Sequence, residues 1–371
     1  MKIAFVSLMS GFAWGGSEEL WFRTAKLALS EGNTVYTLTK RWPNTPDKIA
    51  ELQNLGAHTN FYFQPDYSIS DRIQIKLKLK KYHPYIVPEV TADLYIVSTG
   101  TTFDFIYYRP IIDKVLKPKS QYILISQHNF EFGSLIIGSQ QTYGINIIKN
   151  AAHFLFVSER NLNTAIRQIA FPITNAQVIS NPINIKKAAK KPYPASPKIT
   201  MACVARLDCY FKGQDILLEA LSTEKWKKRD FSLKFYGTGP HLEHLQMLIL
   251  LFDLQNKVTI EGHVNNVDQI WETNQVLVLP SISEGTPLAL IEAMLSGRTA
   301  LATDVGDNGK YVLNNSTGFL VDVASVKCLS DGLEELWHER ENLLQMGERA
   351  YEHALRITDL NPEQTLMNLI Q

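Results

Sequence analysis

Short apolar runs rich in β-branched residues alternate with helical stretches from one end of this chain to the other, the pattern of parallel sheets covered on both faces. In the first half the predicted strands cover 3–7, 34–39, 94–98, 122–126, 154–158 and 177–180. The alternation breaks at Lys186-Lys187-Ala188-Ala189-Lys190-Lys191-Pro192-Tyr193-Pro194-Ala195-Ser196-Pro197, where three prolines and four lysines defeat both helix and strand. It restarts with strands over 199–205, 232–236, 258–261, 275–279, 299–303 and 319–321. The chain therefore reads as α/β, with two doubly wound parallel sheets. A length of 371 residues agrees, since it exceeds what one hydrophobic core usually serves. The expected division is a first domain over 1–185, a linker over 186–197, a second domain over 198–352 and a terminal helix over 353–371 that packs back on the first domain. Breaks in the terminal helical stretch are expected near Gly347 and at Asn361-Pro362.

Ile73-Gln74-Ile75-Lys76-Leu77-Lys78-Leu79-Lys80-Lys81 resists this pattern. It alternates apolar and basic residues with period two, which favours a strand, while its place between predicted strands favours a helix. A solvated charged face is the commoner meaning of such a run, and peripheral contact with the cytoplasmic face of a membrane is the other. The apolar run at the N-terminus is too short for a signal-peptide core or a membrane span. The cysteines, Cys203, Cys209 and Cys328, make no CxxC pair, so neither a disulfide framework nor a structural zinc site is expected, and the compartment reads as cytoplasmic. Lys plus Arg and Asp plus Glu both number 37, which argues against a nucleic-acid binder. No HxxxH, HExxH, DxD or GxSxG pattern occurs, so no metal and no cofactor are called for.

The chemistry-bearing motifs fall at predicted strand ends, where open α/β sheets bind their ligands. Glu284 and Glu292 stand eight residues apart in Ser283-Glu284-Gly285-Thr286-Pro287-Leu288-Ala289-Leu290-Ile291-Glu292-Ala293-Met294. Pro287 suits the first turn of a helix and Gly297 the left-handed position past its end, which brackets one short helix. Free amides at Glu284-Gly285-Thr286 make an anion site, with Glu292 roughly two turns further on. Two carboxylates around a positive helix end suit a diphosphate between hydroxylated groups, as in a nucleotide sugar. On spacing alone, a buried helix after a polar turn, with Glu292 merely solvated, is the commoner meaning.

Arg206 and Lys212, in Ala205-Arg206-Leu207-Asp208-Cys209-Tyr210-Phe211-Lys212-Gly213, offer the guanidinium fork and ammonium that a departing diphosphate needs, or a solvated pair in a surface loop. Glycines in Gly237-Thr238-Gly239-Pro240 and Gly262-His263-Val264 let main-chain groups reach a flat base, or serve ordinary turns. Near the N-terminus, Gly11-Phe12-Ala13-Trp14-Gly15-Gly16-Ser17-Glu18-Glu19 precedes an amphipathic helix with Leu20, Leu27 and Ala28 on one face and Ser17 as its expected N-cap. Its glycine spacing is not the GxGxxG fingerprint. His128, in Ser126-Gln127-His128-Asn129, stands at a strand end where it can hydrogen-bond hydroxyls and move protons, though a structural histidine fits equally.

In their order these residues resemble the retaining glycosyltransferases of family 4, the glycosyl transferases group 1, which have the GT-B fold of two facing Rossmann-like domains. The resemblance covers nearly the whole chain: Gly15-Gly16-Ser17-Glu18, His128, Val157-Ser158-Glu159, Ile179-Ser180-Asn181-Pro182, Arg206 with Lys212-Gly213, Gly237, Gly262-His263-Val264, the two glutamates, Arg298 to Gly306, and Thr317-Gly318-Phe319-Leu320-Val321. It implies a metal-independent hexosyltransferase moving a hexose from a nucleoside-diphosphate sugar, UDP favoured over GDP, to a sugar or glycolipid hydroxyl in surface polysaccharide or glycoconjugate synthesis. It also implies that Glu284 holds donor-sugar hydroxyls, Glu292 the ribose, and Arg206 and Lys212 the diphosphate. Backbone at Gly285, Thr286 and Leu288 would contact sugar and phosphate, Gly237, Gly239, His263 and Val264 the base, Gly15 and Gly16 the diphosphate from the first domain, and His128 the donor sugar. The departing phosphate helps deprotonate the acceptor in such enzymes, so neither glutamate is assigned as nucleophile. Three positions depart from the family pattern: Ala205 replaces a glycine, Asp307 a second glycine and Lys310 a glutamate; the last two bear on which sugar is used. A nucleotide-sugar epimerase of the same architecture and a non-catalytic nucleotide-sugar-binding module are the alternatives.

Overall fold

The computed structural model describes every residue except Tyr67, Lys78 and Lys80, and the side chains of all others but Ile69, Arg72 and Ile73. The chain divides into two compact units, Met1–Pro182 with Asn361–Gln371, and Ile183–Leu360.

Among the described residues the first unit holds seven strands, β1 (Lys2–Ser7), β2 (Thr34–Lys40), β3 (His58–Tyr62), β4 (Leu94–Thr99), β5 (Gln121–Ser126), β6 (His153–Phe156) and β7 (Ala176–Val178), in the order β3-β2-β1-β4-β5-β6-β7. Every neighbouring pair is parallel. Period two sorts their apolar residues to two faces. Ala4, Val6, Tyr95, Val97, Tyr122 and Leu124 enter one core, and Ile3, Phe5, Leu94, Ile96, Ile123 and Ile125 the other. Because helices cover both faces, successive residues of one strand are all buried, which is why β1 reads as an unbroken apolar run.

The second unit repeats the plan with six strands, β8 (Ile199–Val204), β9 (Phe231–Tyr236), β10 (Val258–Gly262), β11 (Val276–Leu279), β12 (Thr299–Thr303) and β13 (Phe319–Val321). Their order is β10-β9-β8-β11-β12-β13, all parallel. Met201, Cys203, Leu233, Phe235, Val276 and Val278 face one core, while Ala202, Leu277, Leu279, Ala300 and Ala302 face the other.

Several expectations are corrected. The first sheet has a seventh strand, β3, at an edge, where only Tyr62 of its five residues is buried and the apolar signal is weak. Within the 73–81 run, residues up to Lys76 lie in the helix Ile69–Lys76, as a parallel crossover from β3 to β4 requires, although the alternation favoured a strand; Lys78 and Lys80 lie outside the described residues. Ser17 is no N-cap: it sits within a 3-10 turn, Gly16–Glu18, and Glu18 takes the cap position of the helix Glu19–Ser30 without a side-chain cap bond. Nor does Gly347 break its helix, Leu343–Ile357; a Cβ there would stand 2.3 Å from the Gly297 carbonyl oxygen, so the glycine allows two backbones to touch. Pro287 is the residue just before the helix Leu288–Leu295 rather than in its first turn.

The segment 186–197 belongs to the second unit instead of hanging between two. Buried Arg298 donates to the carbonyls of Lys191 and Pro192, Tyr193 packs on the core, and Lys191 Nζ lies 2.9 Å from Asp268 Oδ1. The chain then leaves this unit, and the helix Pro362–Ile370 inserts Leu366, Met367 and Ile370 into the first unit's core beside Leu20, Trp21 and Ala25.

Candidate functional site

In the second sheet the chain runs outward from β8 through β9 to β10 on one side and from β11 through β12 to β13 on the other, so the direction of winding reverses between β8 and β11. That switch point leaves a crevice at the carboxyl ends of the two strands. The loop after β8 and the loop after β11 are joined there. Phe211 carbonyl accepts the amides of Ile282 at 2.9 Å and Ser283 at 3.2 Å. Gly213 makes the approach possible: its φ is +59°, and a Cβ would stand 2.2 Å from the Pro280 carbonyl oxygen.

The side chains meet above this contact. Lys212 Nζ donates to Glu284 Oε1 at 2.7 Å, and Ser281 Oγ donates to the same oxygen at 2.6 Å. Thr303 Oγ1 in turn bonds the Ser281 carbonyl at 2.6 Å, tying β12 to the arrangement. Glu284 is 8% exposed, so this is a carboxylate out of bulk water, held by one cation and one hydroxyl. Beneath it, burial pushes the Cys203 thiol up to about 12, with Lys212 pulling down and Glu284 pushing up. Cys203 is therefore a core group and no nucleophile.

Glu284 and Gly285 lead into the helix Leu288–Leu295. Among the described residues the amides of Gly285, Ala289 and Leu290 donate to no protein group, which leaves anion-binding donors at the helix start. The Leu288 amide is taken by the Thr286 carbonyl at 2.9 Å. Glu292, 3% exposed, faces the chain's entry into this unit: its Oε1 accepts from Asn184 N at 2.8 Å and Asn184 Nδ2 at 3.1 Å. Sequence reasoning missed Asn184, which carries no motif of its own and lies 108 positions from its partner.

Arg206 follows β8, with Nη2 at 2.6 Å from Asp208 Oδ2. Gly237 and Gly239 follow β9, the Gly237 amide donating to Gly262 carbonyl at 2.7 Å; after β10, His263 is exposed and Val264 packs partly against the core. The structure thus brings Lys212 and Glu284 into direct contact and sets the other second-unit candidates on strand-end loops or on the helix that follows β11.

Gly15, Gly16 and His128 lie in the first unit, at the ends of β1 and β5. Gly15 is extended before the 3-10 turn, and the half-buried His128 is fixed through its carbonyl, which accepts the Thr102 amide at 3.0 Å. Glu18, unremarked as a side chain in the sequence, is buried and accepts a 2.6 Å hydrogen bond from Ser7 Oγ. Burial pushes its carboxyl up to about 7, against the pull of that bond. A carboxyl whose folded pKa lies above its unfolded one binds its proton more tightly when folded, so its contribution to stability is full below the unfolded value of about 4.3 and is lost as pH rises through 7. Glu18→Gln is expected to leave stability at pH 4 unchanged and raise it at pH 8, by up to about 3 kcal/mol, in urea unfolding followed at both pH values. Equal effects at both would remove the assignment.

Among the described residues no group of three or more His, Cys, Asp or Glu is placed to hold a metal ion, and no helix is long and apolar enough to cross a membrane.

Residues 184–353 match the family model described as glycosyl transferases group 1. An uncharacterized glycosyltransferase of Haemophilus influenzae is 26% identical over 352 residues, covering 94% of each chain. A GDP-mannose-dependent alpha-(1-6)-phosphatidylinositol monomannoside mannosyltransferase of Mycobacterium tuberculosis is 29% identical over 167 residues, 43% of each chain. Among solved structures, HepE of Anabaena in complex with UDP and glucose superposes with a TM-score of 0.73 at 16% identity, covering 100% of this chain and 99% of that one, a likeness of fold.

Proposed function

The chain is a glycosyltransferase of GT-B fold with a glycosyl transferases group 1 domain over residues 184–353, and from that premise we propose that it moves a hexose from a nucleoside-diphosphate sugar to a hydroxyl acceptor with retention, as in family 4. The observation that carries this reading is the Lys212–Glu284 pair, 2.7 Å apart at the switch point beside the unpaired amides of Gly285, Ala289 and Leu290. A cation and a helix start meet a diphosphate; a buried carboxylate beside them meets sugar hydroxyls.

In this reading Arg206 and Lys212 bind the diphosphate and take up the charge that grows on it as the glycosidic bond breaks. Glu284 orients the hexose, exchanging part of its contact with Lys212 for sugar hydroxyls, and Glu292 takes ribose hydroxyls while Asn184 keeps it oriented. Both glutamates position the donor, and neither attacks carbon. Gly285 supports the phosphate through its amide; Leu288 contributes through packing, its amide being spent. His128, Gly15 and Gly16, in the first unit, enter through the resemblance alone.

UDP is the favoured nucleotide and a sugar or glycolipid hydroxyl the favoured acceptor class. A UDP complex is known for the HepE fold relative, while the mycobacterial relative uses GDP-mannose. A melting panel of UDP, GDP, ADP and their hexose conjugates tests the donor site: a ligand at 100 times its dissociation constant stabilises by about 2.7 kcal/mol, and UDP compounds are expected to give the largest rise. A flat response to the whole panel would count against catalysis. Incubation with the stabilising donor alone, read by NMR, should give no isomerised sugar nucleotide; isomerisation would mark an epimerase.

A further inference from the structure

We propose that Asp208 is a positioning residue for the diphosphate clamp, its carboxylate holding the Arg206 guanidinium while its main chain anchors the turn that carries Lys212. The inference rests on the reading of Arg206 and Lys212 as that clamp. Arg206 and Asp208 are two positions apart, and the Asp208 amide donates to the Arg206 carbonyl at 2.9 Å, a tight turn that keeps the two residues together. Arg206 Nη2 and Asp208 Oδ2 are 2.6 Å apart. The carboxylate side chain is 8% exposed and the arginine 39%, so the acid is the fixed member and the guanidinium the one that reaches outward.

The same residue organises Lys212. Asp208 carbonyl accepts the amides of Phe211 at 3.1 Å and Lys212 at 2.8 Å, starting the short helix Cys209–Lys212, and Gln214 Nε2 donates back to the Arg206 carbonyl at 2.8 Å. Both cations are thus registered on one buried residue.

Charge balance points the same way. The second carboxylate oxygen, Oδ1, is buried and has no hydrogen-bond partner among the described residues. His241 Nδ1 lies 3.8 Å from it, but that nitrogen accepts the Cys209 amide at 2.9 Å and so has no proton to give. Arg206 supplies the paired cation that balances Asp208. A planar guanidinium carries five N–H donors in a rigid fork, so one edge can rest on the carboxylate while another meets a phosphate oxygen, and the side chain reaches the ligand already ordered.

The test uses the full-length chain with UDP as the probe, its dissociation constant measured by calorimetry for Asp208→Asn, Arg206→Ala and the double variant, each with its melting midpoint. Asp208→Asn is expected to weaken UDP about tenfold, and the double variant to bind no more weakly than Arg206→Ala alone, because Asp208 acts through Arg206. Arg206→Ala should also lower the midpoint by stranding a buried carboxylate, and adding Asp208→Asn should restore it. Weaker binding by Arg206→Ala combined with wild-type or tighter binding by Asp208→Asn overturns the inference alone, as do strictly additive losses. Unchanged binding by Arg206→Ala overturns the clamp reading and the inference with it.

Discussion

Lys212→Met is expected to cut kcat/KM for the donor by on the order of 10²–10³, with most of the loss in kcat. The direction follows from when the charge appears. The diphosphate is already anionic in the bound donor, but its negative charge increases as the sugar bond stretches, and a cation fixed at 2.7 Å from Glu284 is in place before that happens. Methionine keeps the stem's packing and removes only the ammonium. Stability also responds: Glu284 would be left buried with the Ser281 hydroxyl, and breaking a buried pair costs about 3–5 kcal/mol. The companion variant Lys212→Met/Glu284→Gln removes both charges. It should recover much of the lost stability while recovering no activity, which separates an unfolded enzyme from an inactive one. Wild-type-like turnover by Lys212→Met, measured with intact circular dichroism, would sink the assignment of this cation to the leaving group.

How much of this was legible beforehand depends on the range of each interaction. The strands β1, β4, β5, β8 and β11 announce themselves because burial on both faces makes most of their residues apolar, a local property. β3 does not, since His58-Thr59-Asn60-Phe61-Tyr62 lies at a sheet edge and buries one residue. Gly347 reads as a helix breaker from propensity, yet tertiary contact with Gly297 decides the matter. At the site, strand-end placement marks Arg206, Lys212 and Glu284 as candidates. Their pairing is another matter: Lys212 meets Glu284 across 72 positions and Asn184 meets Glu292 across 108, and no local period encodes either. Asp208 was in plain view two residues from Arg206; what hid it was that burial, not residue type, makes its carboxylate the fixed partner.

The same limit explains the segment 186–197, whose prolines and lysines describe a linker and whose structure is a strap on the second unit. Arg298 holds it. This residue is 1% exposed and donates to the carbonyls of Trp271, Asn274, Ser296 and Gly297 on one side and of Lys191 and Pro192 on the other, Pro192 at 2.6 Å. Its guanidinium lies 5.3 Å from the Tyr193 ring centroid, and burial pulls its pKa down to about 10. A planar fork can serve carbonyls in several directions at once, whereas the single ammonium of lysine cannot. Arg298→Met is therefore expected to destabilise the second unit by about 3–5 kcal/mol, through carbonyls left buried without donors and a strap left without its anchor. Limited trypsinolysis supplies a local readout, because Lys186, Lys187 and Lys190 lie in the strap as cleavable sites. Cleavage there should appear in Arg298→Met at protease levels that leave the wild type intact, alongside a lowered urea midpoint. Arg298→Lys should fall between the two. A wild-type midpoint with an uncut strap in Arg298→Met would mean that Tyr193 packing and the Lys191–Asp268 pair suffice to hold the segment.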